Sequence, residues 1–242
     1  NKVEVKYAKE GNATYLAKKF IQSNTKTCFN QYVKVNTGDK IKKGDILIEG
    51  PSADKGDISI GTNVKVAYMI WEGYEFEDGI VISDRLVKDD VLTSIHISDH
   101  TIPVLETKLG PEEITRDIPN VSEEVLRNLD EEGVVAVGSK VESGDILVGK
   151  VAPKGEAELS AEERLLRAIF GEKAKDVRDN SLYMPHGQHG VVIGVKRVTT
   201  KENEDLPAGT IEEITVYVAQ MKKIEIGDKL AGRHGNKGVI SA

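Results

Sequence analysis

One short phrase recurs along this chain and constrains its fold class more than any other feature. It consists of an apolar residue, two further residues, Gly-Asp, and an apolar pair. Val35 to Leu47 contains it as Ile41-Lys42-Lys43-Gly44-Asp45-Ile46-Leu47, and Val137 to Leu147 contains it as Val141-Glu142-Ser143-Gly144-Asp145-Ile146-Leu147. Ile224-Glu225-Ile226-Gly227-Asp228-Lys229-Leu230 is a looser third copy. Gly-Asp between apolar residues predicts a tight turn joining two short strands. The copies lie about 80 to 100 residues apart, too far for a solenoid period. They predict hairpins reused in separate small β-barrels or sandwiches.

The intervening sequence reads the same way. Asn63 to Ile70 alternates and then turns fully apolar, Gly79 to Ile82 and Val191 to Ile193 are short β-branched runs, and Ile211 to Ala219 is a strong strand candidate. Helices are few. Tyr15 to Ser23 is one candidate. Ser122 to Glu132 sets Val125, Leu126 and Leu129 on one face and meets a capping Gly133. Ser160 to Phe170 opens on the S-x-x-E capping pair Ser160 and Glu163 and stops at Gly171. Its stripe of Leu165, Leu166, Ile169 and Phe170 either packs on the parent domain or, between polar flanks, marks a protruding partner site. The fold class expected is mainly β with a few short helices.

Composition removes several function classes. No apolar run approaches the ~20 residues of a membrane span. Cys28 is the only cysteine, so no internal disulfide forms, which fits a reducing compartment. The chain opens on Asn1 with no signal-peptide pattern and closes within an apolar stretch, so both ends read as cuts inside a larger protein. A net charge of −7 argues against a free-standing nucleic-acid-binding domain. Lys222 to Lys237 nevertheless holds five Lys/Arg against two acids.

That basic stretch ends in Gly227-Asp228-Lys229-Leu230-Ala231-Gly232-Arg233-His234-Gly235-Asn236-Lys237-Gly238. Glycines allow close approach to a ligand, while lysine and arginine supply charge for phosphate. It is either a phosphate cradle or a solvated charge cluster. It is not the G-x-x-x-x-G-K-[ST] loop, because Arg233-His234 follows Gly232 where Lys and Ser/Thr are required. No Rossmann glycine pattern and no Gly-x-Ser-x-Gly elbow is present. His186 and His189 lack the cysteines or acids of a zinc site. Glu77 and Asp78, in Tyr74 to Gly79, could face Mg²⁺ or could be an acidic turn between strands. If that segment is extended, the two carboxylates point to opposite faces.

Taken together the motifs resemble the β-subunit family of bacterial-type DNA-directed RNA polymerase. The anchors run in order along nearly the whole chain: Ser23-Asn24 with Thr27 to Gln31, Gly50-Pro51-Ser52, Gly73 to Asp78, Thr107 to Pro119, Gly144 to Lys150, Glu163 to Lys173, and the lysine and glycine motif. The resemblance implies a partial double-psi β-barrel carrying an inserted flap domain with a protruding tip helix. Residues 1–62 would be a barrel and hybrid-binding segment, 63–95 the first part of the barrel, 96–220 the flap (wall) with tip helix 160–170, and 221–242 the second part of the barrel.

The resemblance also implies roles. Lys229 and Lys237 would be catalytic, reaching the RNA 3′ end and the incoming nucleotide's phosphates. Arg233, His234 and Asn236 would contact phosphate or nucleic acid. Glu77 and Asp78 would sit near a nucleotide-carried Mg²⁺, with the essential Mg²⁺ held mainly by the β′ subunit and none expected in this chain alone. Leu165, Leu166, Ile169 and Phe170 would dock σ factor region 4. Partners would be the β′ and α subunits, σ, other transcription factors at the flap, DNA template and RNA transcript, in the bacterial cytoplasm or a plastid. Gln22 stands where arginine is expected, and Tyr32 follows Gln31 where Gln-Arg-Pro or Gln-Met-Pro is usual. No nucleic-acid contact is therefore carried over to Asn30 or Gln31. Two rival functions are a stand-alone transcription-factor interaction module and an unrelated phosphate-binding β protein.

Overall fold

A computed structural model describes residues 2–8, 11–154, 177–200 and 206–242. The recurrent phrase takes one conformation at every copy. In Lys42 to Asp45, Glu142 to Asp145 and Glu225 to Asp228 the fourth residue's N–H donates to the first residue's carbonyl, at 3.1, 3.0 and 3.1 Å. The aspartate carboxylate then turns back and accepts from the first residue's N–H, at 2.6, 2.8 and 2.9 Å. Asn36 to Asp39 forms a fourth copy, closed at 2.7 Å by Asp39. Each glycine has φ between 89° and 101°, a region that suits glycine and strains other residues.

The turns are as expected, but the hairpins are not. β13 (Lys140–Val141) and β14 (Ile146–Val148) flank Gly144-Asp145 without pairing with each other. β13 pairs with Gly190 and Val191, and β14 with Leu182 and Tyr183. The turn redirects the chain between two sheets, because the apolar residues on either side find better partners far away in sequence.

Two compact units result, one of residues 1–97 with 221–242 and one of residues 98–220. In the first, β1 (Lys2–Tyr7) pairs with β2 (Gly11–Leu16), β3 (Ile21–Gln22) with β4 (Cys28–Phe29), β5 (Tyr32–Val33) with β6 (Ile48–Glu49), and β7 (Ala53–Asp54) with β8 (Asp57–Ile58). β9 (Gly79–Ile80) and helix α1 (Asp84–Lys88) follow. β10 (Ser94–Thr107) leads into the second unit, which holds β11 (Gly110–Pro111), β12 (Glu113–Ile114), α2 (Glu123–Leu126), β13, β14 and β15 (Lys150–Pro153). There β16 (Val177–Asp179), β17 (Leu182–Tyr183), β18 (Gly190–Thr199) and β19 (Thr210–Lys222) complete the order. β20 (Lys229–Ala231) and β21 (Lys237–Ile240) belong to the first unit.

The second unit is organised by a five-stranded sheet in the order β11-β10-β19-β18-β13. On β19, Ile214, Val216 and Val218 point inward at alternate positions and are fully buried. They meet the unbroken apolar run Ile146-Leu147-Val148, buried on both faces, together with Val135, Val141, Met184 and Val192. The same unit holds a buried polar group that is fully paired. Glu112 accepts from the Lys150 ammonium at 2.7 Å, from Leu105 N–H at 2.9 Å and from Asn180 at 2.7 Å, while Lys150 also donates to Pro103 O. Burial alone would push the Glu112 carboxyl up, but these donors outweigh it and hold it below the usual carboxylate range.

Three expectations are corrected. Tyr15 to Ser23 is not a helix: its start belongs to β2, paired along its length with β1, and Ile21–Gln22 is β3. Strand pairing overrides weak helical periodicity there. Helix α2 covers four residues rather than Ser122 to Glu132. Asp130 accepts from Glu132 and Val134 N–H and donates its own N–H to Val134 O. That side-chain turn diverts the chain before a longer helix can form. Asn63 to Ile70 lies in no ladder, and Tyr68 and Ile70 are 98% and 83% exposed. Alternation identified its apolar residues, but no strand among the described residues pairs with it. The predicted helix Ser160 to Phe170 lies outside the described residues.

Candidate functional site

Three short strands of the first unit form one small sheet, β20-β21-β9. β21 runs parallel to β9, with Val239 opposite Gly79 and Ile240 opposite Ile80. β20 runs antiparallel to β21, with Lys229 opposite Val239 and Ala231 opposite Lys237. Directly opposed residues share a face, so Lys229 and Lys237 lie on the same face of the hairpin. That face is exposed, while Gly238 and Ile240 are buried on the other. Arg233, His234 and Asn236 occupy the exposed loop joining β20 to β21, which Gly232 N–H closes on Asn236 O at 2.7 Å.

The acidic segment is held against the lysine strand. Val239 N–H donates to Asp78 O at 2.9 Å and Ser241 N–H to Ile80 O at 3.0 Å. Gly238 permits this approach: a Cβ there would stand 2.5 Å from Asp78 O. Trp71 to Gly79 is wound into consecutive turns, with Tyr74 N–H bonded to Trp71 O at 3.1 Å and Gly79 N–H to Phe76 O at 3.1 Å. Glu77 has φ 54°. The segment is therefore not extended, so the condition under which Glu77 and Asp78 would point to opposite faces is not met. Both residues line one cavity of about 1000 Å³.

Lys237 lines the same cavity. Lys229 does not, although it shares the hairpin face with Lys237. The other charged groups lining it are Glu75, Asp89, Lys65 and Arg85, and apolar walls come from Val64, Val66, Tyr68, Met69, Leu86 and Leu230. Glu75 turns its carboxylate onto Trp71 N–H at 2.9 Å. Such a cavity combines acidic, basic and apolar lining. Among the described residues no group of three or more His, Cys, Asp or Glu could by itself hold a metal ion. Glu77 and Asp78 nevertheless match the one or two carboxylates with which proteins hold Mg²⁺ when substrate phosphates and water supply the rest.

Sequence patterns pointed to Glu77, Asp78 and Lys237 but not to Glu75, Arg85 or Ser241. Arg85 lies in the five-residue helix α1, and Ser241 follows a β-branched run. Neither position has a periodic or glycine signal. Leu165, Leu166, Ile169 and Phe170 lie outside the described residues. No helix among the described residues is long and apolar enough to cross a membrane.

Comparison with known proteins gives a consistent result. Residues 1–242 match the family described as RNA polymerase Rpb2, domain 6. A protein of Alkaliphilus metalliredigens named DNA-directed RNA polymerase subunit beta is 56% identical over 241 residues, covering 100% of this chain and 19% of that protein. The protein of the same name from Corynebacterium diphtheriae is 58% identical over 227 residues, 94% of this chain and 19% of its own length. That of Alkaliphilus oremlandii is 54% identical over 242 residues, 100% of this chain and 20% of its own. The chain thus spans about a fifth of the length of these curated relatives.

Proposed function

The chain belongs to the RNA polymerase Rpb2 domain 6 family, and from that premise we propose that it is part of the β subunit of a DNA-directed RNA polymerase. In this reading it contributes Lys229 and Lys237 to DNA-templated nucleotidyl transfer in a multisubunit cytoplasmic enzyme. The observation that carries it is the register of β20, β21 and β9. Two motifs some 150 residues apart in sequence meet there, so that Asp78, Glu77 and Lys237 border one cavity.

Nucleotidyl transfer joins the RNA 3′ oxygen to the α-phosphorus of a nucleoside triphosphate and releases pyrophosphate. Little covalent work falls to the protein, and positioning with charge neutralisation supplies most of the rate. Lys237 would place its ammonium against the phosphates at the cavity. Lys229, on the same face of the hairpin, would add a second charge toward the RNA end. Arg233, His234 and Asn236 would track phosphate from the loop. A divalent ion carried by the nucleotide would neutralise phosphate charge. Glu77 and Asp78 are the residues that would face it through water, while the aspartates that hold the essential ion belong to the partner β′ subunit.

We also propose that residues 96–220, nearly all of them in the second compact unit, form the flap, with Leu165, Leu166, Ile169 and Phe170 docking σ region 4. The separate buried core of that unit favours a module able to present a partner site. Both parts are tested on the full-length subunit assembled into polymerase. Lys237→Ala and Asp78→Ala are each expected to slow single-nucleotide addition on a primed template about 100-fold or more. Leu166→Glu is expected to spare that addition and to weaken σ region 4 in a fluorescence titration. Wild-type addition rates in both site variants would refute the catalytic reading, and unchanged σ affinity would refute the docking one.

A further inference from the structure

We propose that Ser241 is a positioning residue that locks the acidic turn to the strand carrying Lys237. The proposal rests on the reading that Lys237, Glu77 and Asp78 serve nucleotidyl transfer. Ser241 directly follows β21. Its N–H donates to Ile80 O, which keeps β21 in register with β9. Its hydroxyl donates instead to Tyr74 O, in the middle of the acidic turn, with Ile80 O a further 3.3 Å contact.

The Tyr74 carbonyl occupies a decisive place. It stands over Gly79, where a Cβ would come within 2.4 Å of it. Gly79 directly follows Asp78 and is the residue paired with Val239. The hydroxyl of Ser241 therefore fixes the backbone that aims Asp78. The turn also needs such a clamp. Glu72 and Glu77 have φ 53° and 54°, a conformation that costs a residue with a side chain on the order of 1 kcal/mol or more and persists only where the surroundings over-determine it. Two bonds from the lysine strand hold the turn: Val239 N–H on Asp78 O and the Ser241 hydroxyl on Tyr74 O. Only the second can be removed by changing a side chain.

The test places Ser241→Ala and Ser241→Thr in the full-length subunit of assembled polymerase, beside Lys237→Ala and Asp78→Ala. Single-nucleotide addition is measured across nucleotide concentration, and amide hydrogen exchange is followed over residues 71–79. Small misplacements of catalytic groups are costly, so Ser241→Ala is expected to lower the maximal rate about tenfold while leaving half-saturation within about twofold. Exchange across the turn speeds up. Ser241→Thr, which keeps the hydroxyl, restores both. If Lys237→Ala and Asp78→Ala slow addition but Ser241→Ala does not, the positioning role is overturned and the site reading survives. Equal impairment of the threonine variant overturns it as well, because the loss then comes from the fold rather than the hydroxyl. If neither Lys237→Ala nor Asp78→Ala slows addition, the site reading fails and this proposal falls with it.

Discussion

Residues 98–220 and the remainder of the chain solve opposite problems. Residues 98–220 bury Ile146, Leu147, Val148, Ile214, Val216 and Val218 completely, on β14 and the thirteen-residue β19. The other holds the lysine and acid site on strands of two to four residues and leaves Ile58, Tyr68, Ile70 and Phe76 more than three-quarters exposed. Charge divides in the same way. Residues 98–220 contain 24 acids and 14 Lys/Arg, and the remainder 16 acids and 19 Lys/Arg. One unit derives its order from apolar burial. The other relies on specific hydrogen bonds between short segments, which suits the phosphate-facing surface proposed for it. On the proposed function, stability and chemistry are carried by different residues, and substitutions should separate them.

The largest expected effect lies in the buried pair of residues 98–220. Lys150→Met removes the cation that pairs Glu112, whose side chain is only 3% exposed. An uncompensated buried carboxylate costs about 3–5 kcal/mol, so urea unfolding of that unit should shift by this amount. Replacing both as Glu112→Leu with Lys150→Met should recover most of it. The pH dependence has a definite sign. The Glu112 carboxyl titrates below its ordinary 4.5 in the folded chain. Its contribution is complete above about pH 4.5 and is lost as pH falls through the lowered folded value. A wild-type unit whose stability rises on acidification would contradict the pairing.

A second substitution pair tests the core difference itself. Leu147→Ala should cost residues 98–220 about 2–5 kcal/mol, read as faster hydrogen exchange across β14 and β19. Tyr68→Ala, at a side chain already in solvent, should change the stability of this chain by less than about 0.5 kcal/mol. Comparable losses at both positions would show that residues 62–71 pack on a core after all.

These contrasts also explain what was legible in the sequence. Strands β18 and β19 were readable because β-branched alternation reports burial directly. The Gly-Asp turns were readable because positive φ restricts the residue and aspartate can close the turn on itself. Pairing partners were not readable. Lys140 finds Val191, some 50 residues away, and nothing local at Lys140 encodes that choice. Asn63 to Ile70 shows the same gap in reverse, since alternation without a hydrogen-bonding neighbour gives no ladder. At the site, residue chemistry drew attention to Glu77, Asp78 and the lysines, and family resemblance assigned them roles. The wound shape of Trp71 to Gly79 and the clamp from Ser241 depend on contacts about 160 residues apart, which no local pattern announces.

A loss smaller than those of Lys150→Met and Leu147→Ala is the most discriminating, because it alters the same turn in both units. Asp145 and Asp228 each accept one backbone N–H at their turn, at 2.8 and 2.9 Å. Removing either carboxylate by alanine should cost about 0.5–1.5 kcal/mol locally. In residues 98–220 the turn feeds β14, so Asp145→Ala should appear as lowered unfolding stability of that unit. Asp228 instead directly precedes Lys229, and its carbonyl accepts from Ile240 N–H at 2.9 Å. Loosening it lets the lysine strand drift while little core is lost. In assembled polymerase, Asp228→Ala should therefore slow nucleotide addition several-fold, and Asp145→Ala should leave it unchanged. Equal effects of the two substitutions on both stability and addition would mean that the two units do not divide these tasks.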